Sequence, residues 1–303
     1  MKHSLLLIAF AMVTVVASTQ TTHSIDEPMN DMESTSSFVK KENKPTIQVF
    51  KDTRIVNGHS VETNFKGEMS FIIAHRFGRV NSGAYDLFGL DNATMRMGLD
   101  YGITNNLMVG IGRSTFEKTY DGYVKYRILN QGNGSPIGIT FLVTGGYKGL
   151  RVPEGAPEID AMDRLVYTSQ ALIARKINDR LSIQIMPTYI HRNLVPTPEV
   201  EHDLLAIGGA FKFQLTKQVA IQAESYAIDR GLLGPGPNGN GFYAPISVGF
   251  DVETKGHVFQ FHLSNSRGMV EKSFISETTG SWGNGDIHFG FNVTRDFRIG
   301  GRK

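Results

Sequence analysis

The chain has 303 residues, enough for one large domain or two ordinary ones. With 40% hydrophobic residues, 33 Gly and 19 Phe it is too polar for a bundle of membrane helices, and 31 Lys+Arg against 29 Asp+Glu leaves no electrostatic footprint of a nucleic-acid binder. Cysteine is absent, which excludes disulfides, thiolate catalysis, Cys-ligated zinc and a lipid-modified amino-terminal cysteine.

Residues 1–18 are expected to be a secretory signal. Lys2 supplies the positive start, Leu5–Val16 the apolar run, and Val15-x-Ala17 a small-residue cleavage site. The apolar run is too short for the ~20 residues of a membrane-spanning helix. Residues 19–51 are rich in Ser, Thr, Asp, Glu, Lys and Asn, and are expected to form a flexible periplasmic segment. Its charges change from acidic (Asp26, Glu27, Asp31, Glu33) to basic (Lys40, Lys41, Lys44). Arg54–Lys66 is polar and weakly periodic; it either plugs a lumen, hides a further strand or serves as a linker, and the sequence does not choose.

From Glu68 onward period-two patterning predicts strands at 69–77, 94–102, 107–114, 122–129, 137–147 and 166–177, then 181–191, 203–213, 219–226, 243–253, 257–265 and 286–297. In the first hairpin Met95, Met97, Leu99 and Tyr101 alternate with Arg96, Gly98 and Asp100; after the turn Thr104-Asn105-Asn106, Leu107, Val109 and Ile111 alternate with Met108, Gly110 and Gly112. These strands of 8 to 12 residues suit a tilted bilayer crossing. Short turns at 103–106, 130–136, 178–180, 214–218 and 254–256 alternate with links at 78–93, 115–121, 148–165, 192–202, 227–242 and 266–285. Segregation of loop length by side points to a single transmembrane antiparallel up-and-down β-barrel of about twelve strands over residues 52–297, followed by a basic tail at 298–303 that includes Arg298, Arg302 and Lys303. Such a barrel lies in a cell outer membrane, with both termini periplasmic. Its expected partners are outer-membrane lipid and lipopolysaccharide, and the barrel-assembly machinery during insertion. Tyr101, Tyr147, Tyr167, Tyr189, Phe213 and Trp282 fall near strand ends, where interfacial girdles form.

Several stretches also carry a resemblance: RIVNGHSVET at 54–63, IIAHRFGRVNSGAYDLFGLDNAT at 72–94, RSTFEKTYDGYVKYR at 113–127, HRNLVPT at 191–197, GHVFQFHLSNSRGM at 256–269 and GDIHFGFNVTRDF at 285–297. They resemble the bacterial domain-of-unknown-function family 5777, a group of predicted outer-membrane β-barrels, over about Val49–Phe297. The resemblance implies the fold and the location, and no substrate or reaction.

Three roles follow. The first is a passive, porin-like channel. Parity points Arg96, Asp100, Lys125, Arg127, Gln184, Lys212, Gln222, Glu224, Asp251, Glu253, Gln260, His262 and His288 inward, where charge rings bias ion passage or opposite charges pair and fill a narrow lumen. The second is a lipid hydrolase. His262-Leu263-Ser264-Asn265 is similar to the His-x-Ser-Asn strand motif of outer-membrane phospholipase A and lipid A deacylase barrels, with His262 as base and Ser264 as nucleophile two apart on one face. Glu271 and Asn292 are the candidate orienting residues. Against it, parity puts the pair in the lumen while a lipid arrives from outside. The third is a structural barrel that binds a partner through its loops or amino-terminal arm. No cofactor or metal is assigned: the nine histidines hold no His-x₃-His pair, and Glu154, Glu158, Asp160 and Asp163 match a solvated loop better than an EF-hand. Gly234–Gly241 is glycine-rich but lacks the Lys-Ser/Thr ending of a phosphate cradle.

Overall fold

The computed structural model describes residues 47–132, 134–155, 158–195, 200–229, 241–254 and 256–299. The signal peptide, the segment up to residue 46, most of Gly234–Gly241, and Arg302 and Lys303 lie outside them.

Twelve strands follow one another: β1 (Glu68–Arg79), β2 (Ala93–Gly102), β3 (Leu107–Ser114), β4 (Thr119–Leu129), β5 (Gly138–Lys148) and β6 (Leu165–Lys176), then β7 (Leu181–Arg192), β8 (Asp203–Gln214), β9 (Val219–Ile228), β10 (Ile246–Thr254), β11 (His257–Ser264) and β12 (His288–Arg298). Each pairs antiparallel with its sequence neighbours, and β1 pairs with β12, so the sheet closes with no free edge. Closure lets every strand satisfy its backbone groups without water. Pro187 in β7 has no N–H, and pairing to β6 lapses between Gln170↔Thr188 and Ile173↔Ile185 without a shift of register.

Side chains alternate as a lipid-facing wall requires. Ile111, Phe141, Val143, Leu205 and Ile207 are exposed on the outside, while neighbours such as Leu142, Leu204, Ala206 and Gly110 face in. The interior has two halves. Across β5–β9 large apolar side chains (Leu142, Leu172, Met186, Ile190, Leu204, Tyr226) alternate with polar ones (Thr140, Gln170, Gln184, Lys212, Gln222, Glu224), and across β10–β12 and β1–β4 it is mostly polar (Ser247, Asp251, Gln260, Asn292, Arg76, Arg96, Asp100). Of the aromatics expected in girdles, Tyr101, Tyr167, Tyr189 and Phe213 are exposed on the outside, and Trp282 donates Nε1 to Ile246 O at 3.0 Å.

Most strand ends lie one or two residues from the sequence reading, and four of the differences relocate a residue of interest. β4 begins at Thr119, so Asp121 lies in the wall instead of the 115–121 link; the chain reverses in a tight turn with Glu117 and Lys118 at positive φ. β10 begins at Ile246 and not at Tyr243, because Pro245 has no N–H to donate and Tyr243 N bonds Thr278 O at 2.8 Å. Asp286 stays outside β12, where its carboxylate accepts from Arg79 Nη1, Asn81 Nδ2 and Ser281 N. Arg298, expected in the tail, is the last residue of β12.

The segment before β1 is inside the barrel. It enters at the rim of short turns, where Ile47 N bonds Gln131 O, reverses near Val56-Asn57-Gly58, and returns to Phe65 at the same rim. Val49, Phe50, Ile55, Val56 and Val61 are buried, so the end of the 19–51 stretch expected to be flexible is core. These residues join Met108, Leu142, Leu172, Met186 and Ala210 in one apolar cluster, which supplies the burial that a polar tail would lack. From the opposite rim the link between β11 and β12 also folds inward. Met269, Val270, Phe274 and Ile275 are buried, and a π-helical turn spans Lys272–Ser276.

Candidate functional site: a lumen closed by an inserted segment

The inserted segment forms a narrow hairpin. Ile55 N bonds Gly58 O at 2.8 Å, Ser60 N bonds Thr53 O at 2.9 Å, and Arg54 bridges His59. At its tip three successive backbone N–H groups converge on one wall carboxylate. Glu224 accepts from Val56 N at 3.4 Å, Asn57 N at 2.7 Å and Gly58 N at 3.0 Å. Consecutive amides pointing at one anion make a nest, and charge-assisted bonds of this kind are the strong ones.

Around the tip the wall hydrogen-bonds the segment's backbone from many sides. Ile55 O accepts from the amides of Gln222 and Gln260, Val56 O from Asn292 at 2.8 Å, His59 O from Gln184 at 2.8 Å and Val61 O from Thr140 at 2.7 Å. Lys125 donates to Thr53 O at 3.2 Å, and Ser182 to Val49 O at 2.8 Å. Side chains latch too. Asn57 donates to Ser247 Oγ at 2.9 Å and accepts from Arg76; Thr294 donates to Asp52; Thr53 Oγ1 donates to Asp100 at 3.4 Å. Glu62 takes Arg127 at 3.0 Å and also accepts from Val49 N at 2.7 Å, tying the two arms of the hairpin together. Lys51 pairs with Glu253 at 2.6 Å at the rim.

Most of the thirteen residues placed inward by parity therefore touch the inserted segment. Among the described residues Arg96, Asp251, His262 and His288 make no hydrogen bond or ion pair with it. Arg96 clamps Asp121, Asp251 accepts from Gln222 at 2.6 Å, and His288 Nδ1 donates to Phe77 O at 2.8 Å. Sequence reading missed Asn57, Glu62, Arg76 and Asp121. The available signal was Asn57-Gly58, a common tight-turn pair, but no long alternating runs flank it.

The two inserts meet. Glu271, from the β11–β12 link, lies 3.4 Å from Arg54 Nη1 and 3.3 Å from His59 Nε2. The cavity left beside the tip, between Val56, Arg76, Arg96 and Met269, is about 20 Å³, room for a single water.

The hydrolase arrangement is not assembled. Ser264 Oγ bonds Ser247 Oγ at 2.9 Å and accepts from Ser266 N, and neither ring nitrogen of His262 has a hydrogen-bond partner among the described residues. Glu271 is engaged with the hairpin, and Asn292 with Val56 and Gln260. Among the described residues no group of three His, Cys, Asp or Glu is placed to hold a metal ion.

At the long-loop rim, ion pairs pin the β11–β12 link. Lys272 lies 3.5 Å from Glu117 and 3.0 Å from Glu277, and Lys148 lies 2.6 Å from Glu117. Burial alone would raise the Glu117 carboxyl, but Lys272 and Lys148 outweigh it and hold it below the ordinary range. For Lys272 burial favours the neutral form, and the Glu277 and Glu117 carboxylates overcome it and raise the ammonium. A depressed carboxyl adds stability above its unfolded pKa of 4.5 that is lost as pH falls through the folded value; a raised ammonium adds stability below 10.5 that is lost as pH rises through its own folded value. The link is expected to resist protease between those limits and to be cut in stronger acid. Glu117→Gln should raise cleavage at neutral pH about fivefold, in line with a partly exposed ion pair worth about 1 kcal/mol.

A family model described as a membrane bound beta barrel domain (DUF5777) matches residues 50–297. No curated protein matches the chain. Among solved structures, the chain is similar to the NanC porin in a rhombohedral crystal form, at 8% identity over 76% of this chain and 100% of that one, with a TM-score of 0.46. It is similar to the KdgM porin at 10% identity over 76% and 99%, with a TM-score of 0.43, and to Salmonella typhi OmpF in complex with daunomycin at 8% identity over 76% and 97%, with a TM-score of 0.37.

Proposed function

The chain belongs to the DUF5777 family of membrane bound beta barrel domains, and from that premise we propose that it is an outer-membrane channel held closed by its own amino-terminal segment. The observation that carries this reading is the seating of the 47–66 hairpin in the lumen, with its tip amides on Glu224. The exposed apolar wall faces lipid, with lipopolysaccharide on the long-loop side and both termini in the periplasm. A permanent filling needs only apolar contact. Here the wall adds to the apolar cluster a set of charged and amide side chains bonded to one short segment, and each of those groups can be rehydrated if the segment leaves. Polar latches of this kind release at lower cost than a continuous apolar core, since water replaces each bond.

The test exploits the absence of native cysteine. Asn57→Cys with Ser247→Cys joins the hairpin tip to β10 at a pair of side chains now in hydrogen-bond contact. In planar bilayers the reduced pair should show discrete conductance steps, and the oxidised pair none. Equal conductance in both states would mean that ions pass beside a fixed segment, and the gating role would be wrong. Silence in both, with a folded barrel, would favour the partner-binding scaffold, whose long loops are then the functional surface.

A further inference from the structure

At the short-turn rim the wall and the inserted segment together line a second cavity, open at the rim and of about 550 Å³. It is lined by Lys51, Lys176, Arg180, Lys212 and Lys217, with Asp179 as the carboxylate in its lining. Asp179 is fully exposed and lies 3.8 Å from Lys176, and Lys51 is paired with Glu253. Lys212 differs from the others. It is 6% exposed, and among the described residues its ammonium makes no hydrogen bond or ion pair; its near neighbour is the Phe50 ring, 5.5 Å from Nζ to centroid. The Asp251 and Glu62 carboxylates attract it, but neither is within ion-pair distance; a buried cation without a close anion is costly, and an anion in the cavity it lines relieves that cost.

We propose that this cavity binds a multiply charged oxyanion, of the phosphate or polycarboxylate class, and that the bound anion holds the inserted segment in place. The charge count argues for a multivalent ligand: Lys51 is matched by Glu253 and Lys176 by Asp179, which leaves Arg180, Lys212 and Lys217, from two turns and β8, without an ion pair among the described residues. The direction of control follows from which parts build the site. Ile47, Gln48, Phe50 and Lys51 belong to the inserted segment, so the cavity exists complete only while that segment is seated. A ligand that binds one state better must populate that state, so the anion closes the lumen. This direction rests on the closed-channel reading; the binding itself does not.

Calorimetry of the folded full-length protein in neutral detergent, titrated with inorganic pyrophosphate, tests the site. One saturable event is expected, weakening as salt rises. Lys212→Gln and Lys217→Gln should each lower the affinity about tenfold, as loss of a charged hydrogen bond does, while Lys148→Gln at the opposite rim leaves it unchanged. Lys217 lies in the exposed turn between β8 and β9, so its variant keeps the measurement interpretable if Lys212→Gln fails to fold. Absence of saturable binding, or equal losses at Lys148, overturns the proposal. Repeating the titration in phosphatidylcholine vesicles with and without phosphatidylglycerol identifies the source: competition assigns the site to a lipid headgroup, and its absence to a soluble anion. Pyrophosphate added on the short-turn side should lower the open probability of a conducting variant. An increase would overturn the proposed control, while the calorimetric site would stand or fall separately from conduction.

Discussion

Glu224→Ala is expected to turn a barrel that opens in rare discrete steps into one that conducts much of the time. The substitution removes the acceptor of three backbone N–H groups at the hairpin tip, in surroundings where almost no water is at hand to replace it. Each stranded donor costs about 1–3 kcal/mol, so the seated state loses at least ~3 kcal/mol relative to the withdrawn one, where the same amides are hydrated. That corresponds to an increase of about a hundredfold in the open-to-closed ratio. Gly58→Val should act on the same equilibrium by a different route. A Cβ at Gly58 would lie 2.6 Å from Tyr226 Oη, and Tyr226 is held by Met186 Sδ at 3.2 Å and by the Phe274 ring at 5.5 Å, so it has little room to retreat. Because both changes unseat one tip, the double variant should open little more than either alone. Heat-modifiable migration should be unchanged in all three, since no pairing between wall strands is touched. Folded barrels that stay silent in every variant would sink the channel reading.

Why the wall was legible and its filling was not follows from where the information lies. A strand announces itself within ten residues, because alternation such as Leu205, Ile207 and Phe211 against Ala206, Gly208 and Ala210 is local. Inward parity came with it, so Gln222, Glu224 and Gln260 were placed on the correct face before their partners were visible. Their purpose was not, since Glu224 meets Asn57 across 167 residues and Asn292 meets Val56 across 236. A hairpin of some twenty residues held by wall side chains from many sides needs no periodicity of its own, so the sequence of Arg54–Lys66 leaves plug, strand and linker open. The boundary at Lys51 failed for a related reason. Val49 and Phe50 are two apolar residues after a long polar run, and only the apolar cluster they join with wall residues makes them core. Asp121 was misplaced because the link before it is compressed into one tight turn, where a loop of ordinary length was expected.

That misplaced residue carries the second large effect. Asp121→Ala should destabilise the whole barrel by about 3–5 kcal/mol, because it leaves the Arg96 guanidinium buried without its carboxylate. Arg96 Nε donates to Asp121 Oδ1 at 2.9 Å and Nη2 to Oδ2, a two-pronged pair with both side chains buried. The wall has been cut to fit it. Gly98 and Gly112 lie beneath the guanidinium, and a Cβ at Gly112 would collide with it. Equilibrium unfolding in urea from lipid vesicles reads the loss as a lower midpoint. Arg96→Met with Asp121→Leu should recover most of it, since removing both charges also removes the need to bury them. The size of the single-variant loss also measures how dry the closed lumen is. If Asp121→Ala unfolds at the wild-type urea concentration, water reaches Arg96 through the interior, and a hairpin that admits water to the middle of the barrel is not sealing it. A loss near the full buried-pair value means the closed state excludes water. Opening must then hydrate this part of the wall, so Asp121→Ala should also conduct more readily than the wild type.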